Sequence, residues 1–147
     1  MRCLLVVRQL PPPNLSANAR RRMHPMLTRE LVQEASAEWY ELLVTALWEQ
    51  YGTSHIPESP WEKVRINYTI TWPNRRWLDY DNLQGGGLKV IADLLQGPQN
   101  RFDKNYRLGI IKDDSPKCLV EAPRLVYAYE KNKPSTSIEI IRCVNGT

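Results

Sequence analysis

Four aspartates lie in two short segments of this chain, and their spacing suits a divalent cation. Asp79 and Asp81 are separated by one residue, so in an extended segment their side chains leave the same face. Asp113 and Asp114 are adjacent and follow a short apolar run. Four carboxylates, with Asn82 nearby, supply the oxygen ligands that Mg²⁺ or Mn²⁺ prefers, whereas zinc prefers His or Cys. The sequence therefore predicts a metal site at these aspartates, although aspartate is also common in turns.

Basic residues lie near the aspartates in the sequence and predict a polyanionic partner. The chain has 13 Arg, 7 Lys and a formal net charge of +4. The planar guanidinium of Arg matches phosphate, and neutralising phosphates supplies much of a protein's affinity for DNA. We expect DNA contacts from two groups of arginines: Arg20, Arg21 and Arg22, and Arg75 and Arg76. A run of three Arg is also typical of a solvated loop.

Lys89 and two aromatic residues complete the candidate site. Lys89 lies on the predicted helix that begins at the first aspartate pair, where its ammonium can neutralise charge that develops on a phosphate. Trp77 and Tyr80 flank the same aspartates and are candidates for stacking on a base. A carboxylate cluster with a nearby cation has the groups that metal-assisted phosphodiester hydrolysis needs.

Hydrophobic periodicity predicts the elements that position the first half of this site. Residues 3–8 form a β-branched apolar run, which predicts a strand that ends before the stiff turn Pro11-Pro12-Pro13. The polar segment 14–25 lacks periodicity and predicts a loop. Apolar residues at helical spacing predict a helix over 29–50, with Thr28 as its N-cap and Gly52 at its end. Strict alternation predicts a half-buried strand over 64–72.

The second half of the chain predicts one helix and three strands. The helix begins at Asp81 or Asn82, runs through Gly85-Gly86-Gly87 and ends at Gly97. If it is continuous, Lys89 returns to the face of the aspartates after about 1.9 turns. The strands follow a polar loop at 98–107: 108–111, 118–130 and 136–144, with the last two joined as a hairpin across 131–135.

The fold class follows from this order of elements, β-α-β-α-β-β-β. It predicts one α+β domain over residues 1–147, with two main helices packed on a mixed sheet. No apolar run approaches the length of a membrane span, and the N-terminal apolar stretch is too short for a secretory signal, so we expect a cytoplasmic protein with no membrane partner. Cys3, Cys118 and Cys143 are far apart and lie among apolar or β-branched neighbours, which predicts buried free thiols in strands.

The order of chemical groups is similar to that of one known family. The shared features are Asp79-Tyr80-Asp81-Asn82-Leu83, then Lys89 and Asp93 on a helix, then Asp113-Asp114-Ser115, and, near the N-terminus, Pro11-Pro12-Pro13 before Asn18-Ala19-Arg20. In these features the chain resembles the RusA-like Holliday-junction endodeoxyribonucleases. The resemblance covers roughly residues 4 to 142 in the order of elements.

The resemblance implies a small, homodimeric, Mg²⁺-dependent nuclease that cleaves four-way DNA junctions symmetrically in recombination and repair. By this resemblance, Asp79, Asp81 and Asp114 are the metal-binding and catalytic carboxylates, Asp113 is their neighbour and Lys89 is the catalytic lysine. The chain departs from the family pattern in the interval before Lys89, which is longer by about one helical turn, and in its long 98–107 loop. Either departure can change the substrate.

Two other functions fit the same residues. A non-catalytic protein that binds DNA junctions or single strands would use the Arg residues for affinity and the aspartates as caps. A metal-dependent glycosyl or nucleotidyl transferase with a DxD motif would normally need a larger donor-binding domain than this chain contains. Dependence of strand cleavage on Mg²⁺ separates the nuclease from the binding protein, and product analysis separates it from the transferase.

Overall fold

The computed structural model describes residues 1–12 and 15–144. Pro13 of the predicted stiff turn, Asn14 at the start of the predicted loop, and residues 145–147 of the predicted domain lie outside this part of the chain. The described residues form a four-stranded sheet with helices, and the predicted α+β class with a mixed sheet is confirmed. None of their helices is long and apolar enough to cross a membrane.

The sheet has the spatial order β1-β4-β2-β3. Its strands are β1 (Arg2–Val7), β2 (Val64–Trp72), β3 (Arg124–Tyr129) and β4 (Ser135–Arg142). Strand β4 pairs antiparallel with both β1 and β2, whereas β3 pairs parallel with β2. The prediction of β2 is confirmed over its whole length, and β1 lies within one residue of its predicted start and end.

Three predictions about the C-terminal strands are wrong. Segments 118–130 and 136–144 do not form a hairpin, because β2 lies between β3 and β4 and pairs with both. Strand β3 begins only after Pro123, whose ring removes a backbone donor. Segment 108–111 is not a strand; Ile111 makes only isolated bridges with Trp61 and Gln96.

The N-terminal half of the chain contains one helix more than the sequence predicted. Helix α1 (Ala17–Arg22) lies within the segment predicted as a loop, and the Ser16 hydroxyl caps it by accepting from the Ala19 N–H. Helix α2 (Pro25–Tyr51) begins before the predicted Thr28 cap, because His24 caps it and Pro25 suits the first helical turn. It ends as predicted at Gly52, which has left-handed backbone angles.

The predicted second helix is broken into α3 (Tyr80–Gln84) and α4 (Gly87–Leu95). The N-cap of α3 is Asp79 and not Asp81 or Asn82. Gly86 lies at the break with φ −126° and ψ −106°, which are not helical values. A Cβ atom on Gly86 would lie 1.8 Å from the Leu15 carbonyl oxygen, so the backbone of the break packs directly against the N-terminal segment.

The core lies between one face of the sheet and helices α2 and α4. Its fully buried side chains include Leu43 and Leu47 of α2, Ile91 and Leu95 of α4, and alternate residues of the strands, among them Leu5, Ile70, Ile138 and Ile140. The three cysteines are free and buried, as predicted. Their predicted location in strands is correct for Cys3 in β1 and wrong for Cys118 and Cys143, which lie outside the strands.

We expect Gly86→Ala to lower the free energy of unfolding by about 3 kcal/mol, near the upper end of the usual cost of inserting atoms into a packed site. The reason is the contact with the Leu15 carbonyl, which is backbone and cannot rotate away. Gly97→Ala is the matched control: its nearest neighbour would be Pro60 Cγ at 3.6 Å, an ordinary contact, so we expect a change below about 0.5 kcal/mol. Urea denaturation measures both, and equal losses would contradict the packing argument.

Candidate functional site

A cleft of about 420 Å³ brings together three of the predicted site residues, Asp81, Lys89 and Asp114. Asp81 comes from α3, Lys89 from the first turns of α4, and Asp114 from the turn that follows Ile111. The side chains of Ile66 and Leu88 form apolar parts of the wall. Residues 33 positions apart in the chain therefore share one small, open concavity.

Lys89 is held between two carboxylates. Its Nζ lies 3.0 Å from Asp93 Oδ1, one helical turn away on α4, and 3.0 Å from Asp114 Oδ2 across the cleft. Partial burial lowers the pKa of Lys89, but hydrogen bonds to Asp114 and Asp93 outweigh this and raise it above its usual value. The lysine side chain is 48% exposed, so its ammonium stays charged and accessible from the cleft.

The first aspartate pair is divided by the start of α3. The expectation of an extended segment with both side chains on one face is wrong, because Asp79 precedes the helix and Asp81 lies in its first turn. Asp79 Oδ1 accepts from the Asn82 N–H at 2.9 Å, which is an N-cap interaction. Of the two, Asp81 lines the cleft, and Asp79 is not among the described residues that do.

The second aspartate pair is divided in the same way by a turn. Asp113 Oδ1 accepts from the Ser115 hydroxyl at 2.5 Å and from the Ser115 N–H at 2.8 Å. These two hydrogen bonds hold the pKa of Asp113 below its usual value. Asp114 lines the cleft and contacts Lys89. The structure therefore brings Asp81 and Asp114 together and places Asp79 and Asp113 in local backbone interactions.

The donor set of the cleft fits Mg²⁺. Within residues 1–12 and 15–144, no three or more His, Cys, Asp or Glu side chains are grouped as metal ligands. Two carboxylates, from Asp81 and Asp114, do face one cleft. Mg²⁺ is commonly bound by one or two carboxylates and keeps several waters, with substrate phosphates as further ligands. Asp81 and Asp114 are therefore the residues that would hold such an ion.

Helix α1 carries the three consecutive arginines to the edge of the cleft. Its Asn18 N–H donates to Asn82 Oδ1 at 3.0 Å, which joins α1 to α3. Arg20 donates to the carbonyl oxygen of Gly85, a residue of the cleft wall, at 3.0 Å. Arg21 and Arg22 are exposed. Thus Arg20 has a structural contact at the α3–α4 break, while Arg21 and Arg22 face solvent.

The second basic group and the aromatic candidates lie before α3. The Arg75 guanidinium lies 4.7 Å from the centre of the Tyr129 ring, a cation–π contact, and Arg76 is exposed. Trp77 is stacked on Trp72 with ring centres 6.4 Å apart and is 40% exposed.

Tyr80, the first residue of α3, is 42% exposed. None of Arg75, Arg76, Trp77 and Tyr80 is among the described residues that line the cleft. All four lie within six residues before Asp81 in the sequence.

The 98–107 loop is held to α4 behind the lysine. Asp103 accepts from the backbone N–H groups of Gln99 and Asn105, and it also pairs with Arg107. These backbone hydrogen bonds, together with Arg107, lower the pKa of Asp103 to about 2. Arg107 also donates to the Asp93 backbone carbonyl at 2.5 Å. The long loop thus has a defined conformation that braces the helix turn bearing Asp93.

Tyr68 lines the cleft and was not among the predicted site residues. The alternation of β2 placed it on the buried face, and the residue is only 3% exposed. Burial, together with the charges of Asp114 and Asp93, raises the pKa of Tyr68 above its usual value. The sequence did contain a signal for this residue. Tyr68 occupies the same buried face of the strand as Ile66 and Ile70, and a tyrosine at such a position carries a hydroxyl that needs a hydrogen-bond partner.

Comparison with known protein families and curated proteins identifies no relative of this chain, so its functional assignment rests on the residues of the cleft. No model of a known protein family matches the chain. No curated protein matches it in sequence either.

Proposed function

We propose that this chain is a metal-dependent, structure-selective DNA endonuclease that resolves four-way junctions by hydrolysing phosphodiesters, in DNA recombination and repair in the cytoplasm. The observation that carries the proposal is the position of Lys89, whose ammonium contacts Asp114 in a cleft that also contains Asp81. A cation beside two carboxylates in an open cleft is suited to a phosphodiester with a bound metal ion. The resemblance of the motif residues to RusA-like enzymes supports the same function.

The charge balance of the cleft favours a bound cation. Two carboxylates line the cleft, those of Asp81 and Asp114, and a third, that of Asp93, pairs with Lys89 beside it, so together they outnumber the ammonium of Lys89. Grouped carboxylates repel one another and also repel a phosphodiester, so a DNA substrate enters favourably only when further positive charge is present. Mg²⁺, or Mn²⁺ in its place, would supply this charge if Asp81 and Asp114 held it.

The chain's own residues have distinct tasks in hydrolysis. A bound divalent ion acts as a Lewis acid and lowers the pKa of a coordinated water. In the reaction, a water molecule loses a proton to solvent as its oxygen bonds to phosphorus, the ester bond to the leaving oxygen breaks, and that oxygen takes up a proton. Lys89 lies where its ammonium stabilises the negative charge that grows on the phosphoryl oxygens. Asp93 holds that ammonium towards Asp114.

The surface around the cleft supports branched DNA as the partner. Arg21 and Arg22 are exposed basic side chains on α1, which adjoins the cleft at Gly85, and Arg76 is an exposed basic side chain shortly before α3. Such side chains bind phosphates without reading sequence, which suits recognition of DNA shape. Symmetric cleavage of a four-way junction needs two active sites, so we propose that the chain acts as a homodimer.

Asp81→Asn and Asp114→Asn should each abolish Mg²⁺-dependent cleavage of a synthetic four-way junction while leaving junction binding intact or tighter. Each substitution removes a carboxylate ligand and lowers repulsion towards phosphate. Asp79→Asn should have the same effect only if Asp79 also binds the metal, because Asn retains the N-cap interaction.

Glu62→Gln is the matched control, since Glu62 is exposed and pairs with Lys112 outside the cleft. Gel assays of cleavage and of binding, with linear duplex for comparison, measure both effects. Normal Mg²⁺-dependent cutting by both Asp81→Asn and Asp114→Asn would refute the site. Tight junction binding by a wild-type protein that never cuts would favour a non-catalytic binding protein.

Lys89→Ala should slow single-turnover cleavage by about 10²–10³ while changing junction affinity little, because the ammonium acts on charge that develops during reaction. Lys89→Arg should recover only part of the rate, since its planar fork differs in shape from an ammonium. Lys133→Ala, which breaks an exposed pair with Glu130, is the control. A Lys89→Ala rate within about threefold of wild type would contradict the catalytic role of Lys89 and would favour Arg75 or Arg76 as the source of the positive charge.

Junction binding should weaken steeply with salt, with a log–log slope of roughly −5 if about six phosphates are neutralised. Arg21→Ala combined with Arg22→Ala should reduce the size of that slope by roughly 2, because each lost phosphate contact removes about 0.9. The control is Arg65→Ala with Arg124→Ala, two arginines that pair with Glu121. Fluorescence anisotropy across a salt series measures the slopes, and an unchanged slope in the α1 variant would mean that this helix does not touch DNA.

A further inference from the structure

Tyr68 is fixed rigidly at the centre of the sheet. It lies in β2, with Leu125 of β3 beside it on one side and Ile138 of β4 on the other. Both neighbouring strands hold its backbone, and 97% of its surface is buried, as its exposed fraction of 3% implies. A side chain in this position has little freedom, so its hydroxyl occupies a defined point at the wall of the cleft.

The hydroxyl of Tyr68 makes no hydrogen bond within the part of the chain that the structure describes. This hydroxyl is nevertheless accessible to solvent. Among the described side chains, the polar atom that is fully buried and has no hydrogen-bond partner is Trp72 Nε1, not the Tyr68 hydroxyl. Tyr68 instead lines the cleft alongside Asp81, Lys89 and Asp114. Because buried tyrosine hydroxyls usually have a hydrogen-bond partner, a partner for this one is expected from whatever fills the cleft.

The chemistry of the surrounding groups identifies that partner as an anionic oxygen. A phenol near neutral pH keeps its proton and donates a hydrogen bond. Lys89 is a second, charged donor in the cleft, and the two carboxylates of Asp81 and Asp114 are the groups expected to hold a cation. Two donors next to a cation site form a cradle for the oxygens of a phosphate.

We propose that the Tyr68 hydroxyl donates a hydrogen bond to a non-bridging oxygen of the phosphodiester bound in the cleft, a role that rests on the proposed nuclease function. Negative charge on the non-bridging oxygens changes as the phosphoryl group is transferred, and a rigid donor aimed at them needs no reorganisation during the reaction. Tyr68 is then a catalytic residue that acts together with Lys89, the two donors approaching from β2 and from α4.

Tyr68→Phe tests this role because it removes only the hydroxyl and keeps the buried ring. We expect single-turnover cleavage of the four-way junction to slow by about 10–100-fold, the usual range for a hydrogen bond to a charged group. Tyr40→Phe is the matched control, because Tyr40 is a half-buried tyrosine of α2 that contacts Tyr106 and is not among the described residues that line the cleft.

A phosphorothioate at the scissile phosphate tests whether Tyr68 contacts this phosphate, because a purely structural role of Tyr68 would leave the effect of sulfur on the cleavage rate unchanged by Tyr68→Phe. Sulfur in place of the non-bridging oxygen weakens the same hydrogen bond, so in one of the two stereoisomers its effect and the effect of Tyr68→Phe should be less than additive. Fully additive losses in both stereoisomers, or a Tyr68→Phe rate equal to that of Tyr40→Phe, would overturn the proposal.

A binding measurement separates failure of this proposal from failure of the proposed function. In protein with ¹³C-labelled tyrosine rings, the signal absent from Tyr68→Phe identifies Tyr68. Titration with the dinucleotide dTpdT and Mg²⁺ should shift that signal and leave the Tyr40 signal unchanged. A shift without cleavage of any DNA would refute the nuclease while supporting the contact, and cleavage without a shift would refute the contact. If neither occurs, both are overturned.

Discussion

The close approach of two glycines to the N-terminal segment determines the geometry of the cleft. A Cβ on Gly86 would overlap the Leu15 carbonyl, and one on Gly87 would lie 2.8 Å from Pro11 Cβ. Glycine is the residue that permits such an approach of backbone to backbone. Gly86 separates α3 from α4 with non-helical backbone angles, and α1 lies beside this break, where Arg20 donates to the Gly85 carbonyl oxygen. The cleft therefore depends on residues that have no chemistry of their own.

The ion pairs of Lys89 are better explained by function than by stability. Lys89, Asp93 and Asp114 are each exposed by roughly a third to a half, and pairs at that exposure contribute little to folding because water screens them. They do fix the ammonium at a point in the cleft. Partial exposure also leaves the charge available to a ligand, which a fully buried pair would not.

Sequence periodicity correctly predicted the elements with a strong burial pattern. It failed where contacts between residues far apart in the sequence determine the bounds or the pairing of an element. Strand β2 was predicted to the residue, and the end of α2 was correct, because alternation and a left-handed glycine are local signals. The break before α4 depends on Leu15, and the separation of β3 from β4 depends on β2, so neither is encoded locally. Helix α1 is short and basic, without an apolar stripe, and only its Ser16 cap marked it.

The two aspartate pairs show why two of the four carboxylates predicted at the site line the cleft and the other two are not among the described residues that do. In each pair the first aspartate accepts a nearby backbone N–H, Asp79 from Asn82 and Asp113 from Ser115. Such a hydrogen bond fixes the local backbone direction. The following cleft residue, Asp81 in one case and Asp114 in the other, lines the cleft, and Asp114 also pairs with Lys89. Residues of one type, close in sequence, therefore divide into one that sets the backbone and one that enters the cleft, a division that spacing alone does not reveal.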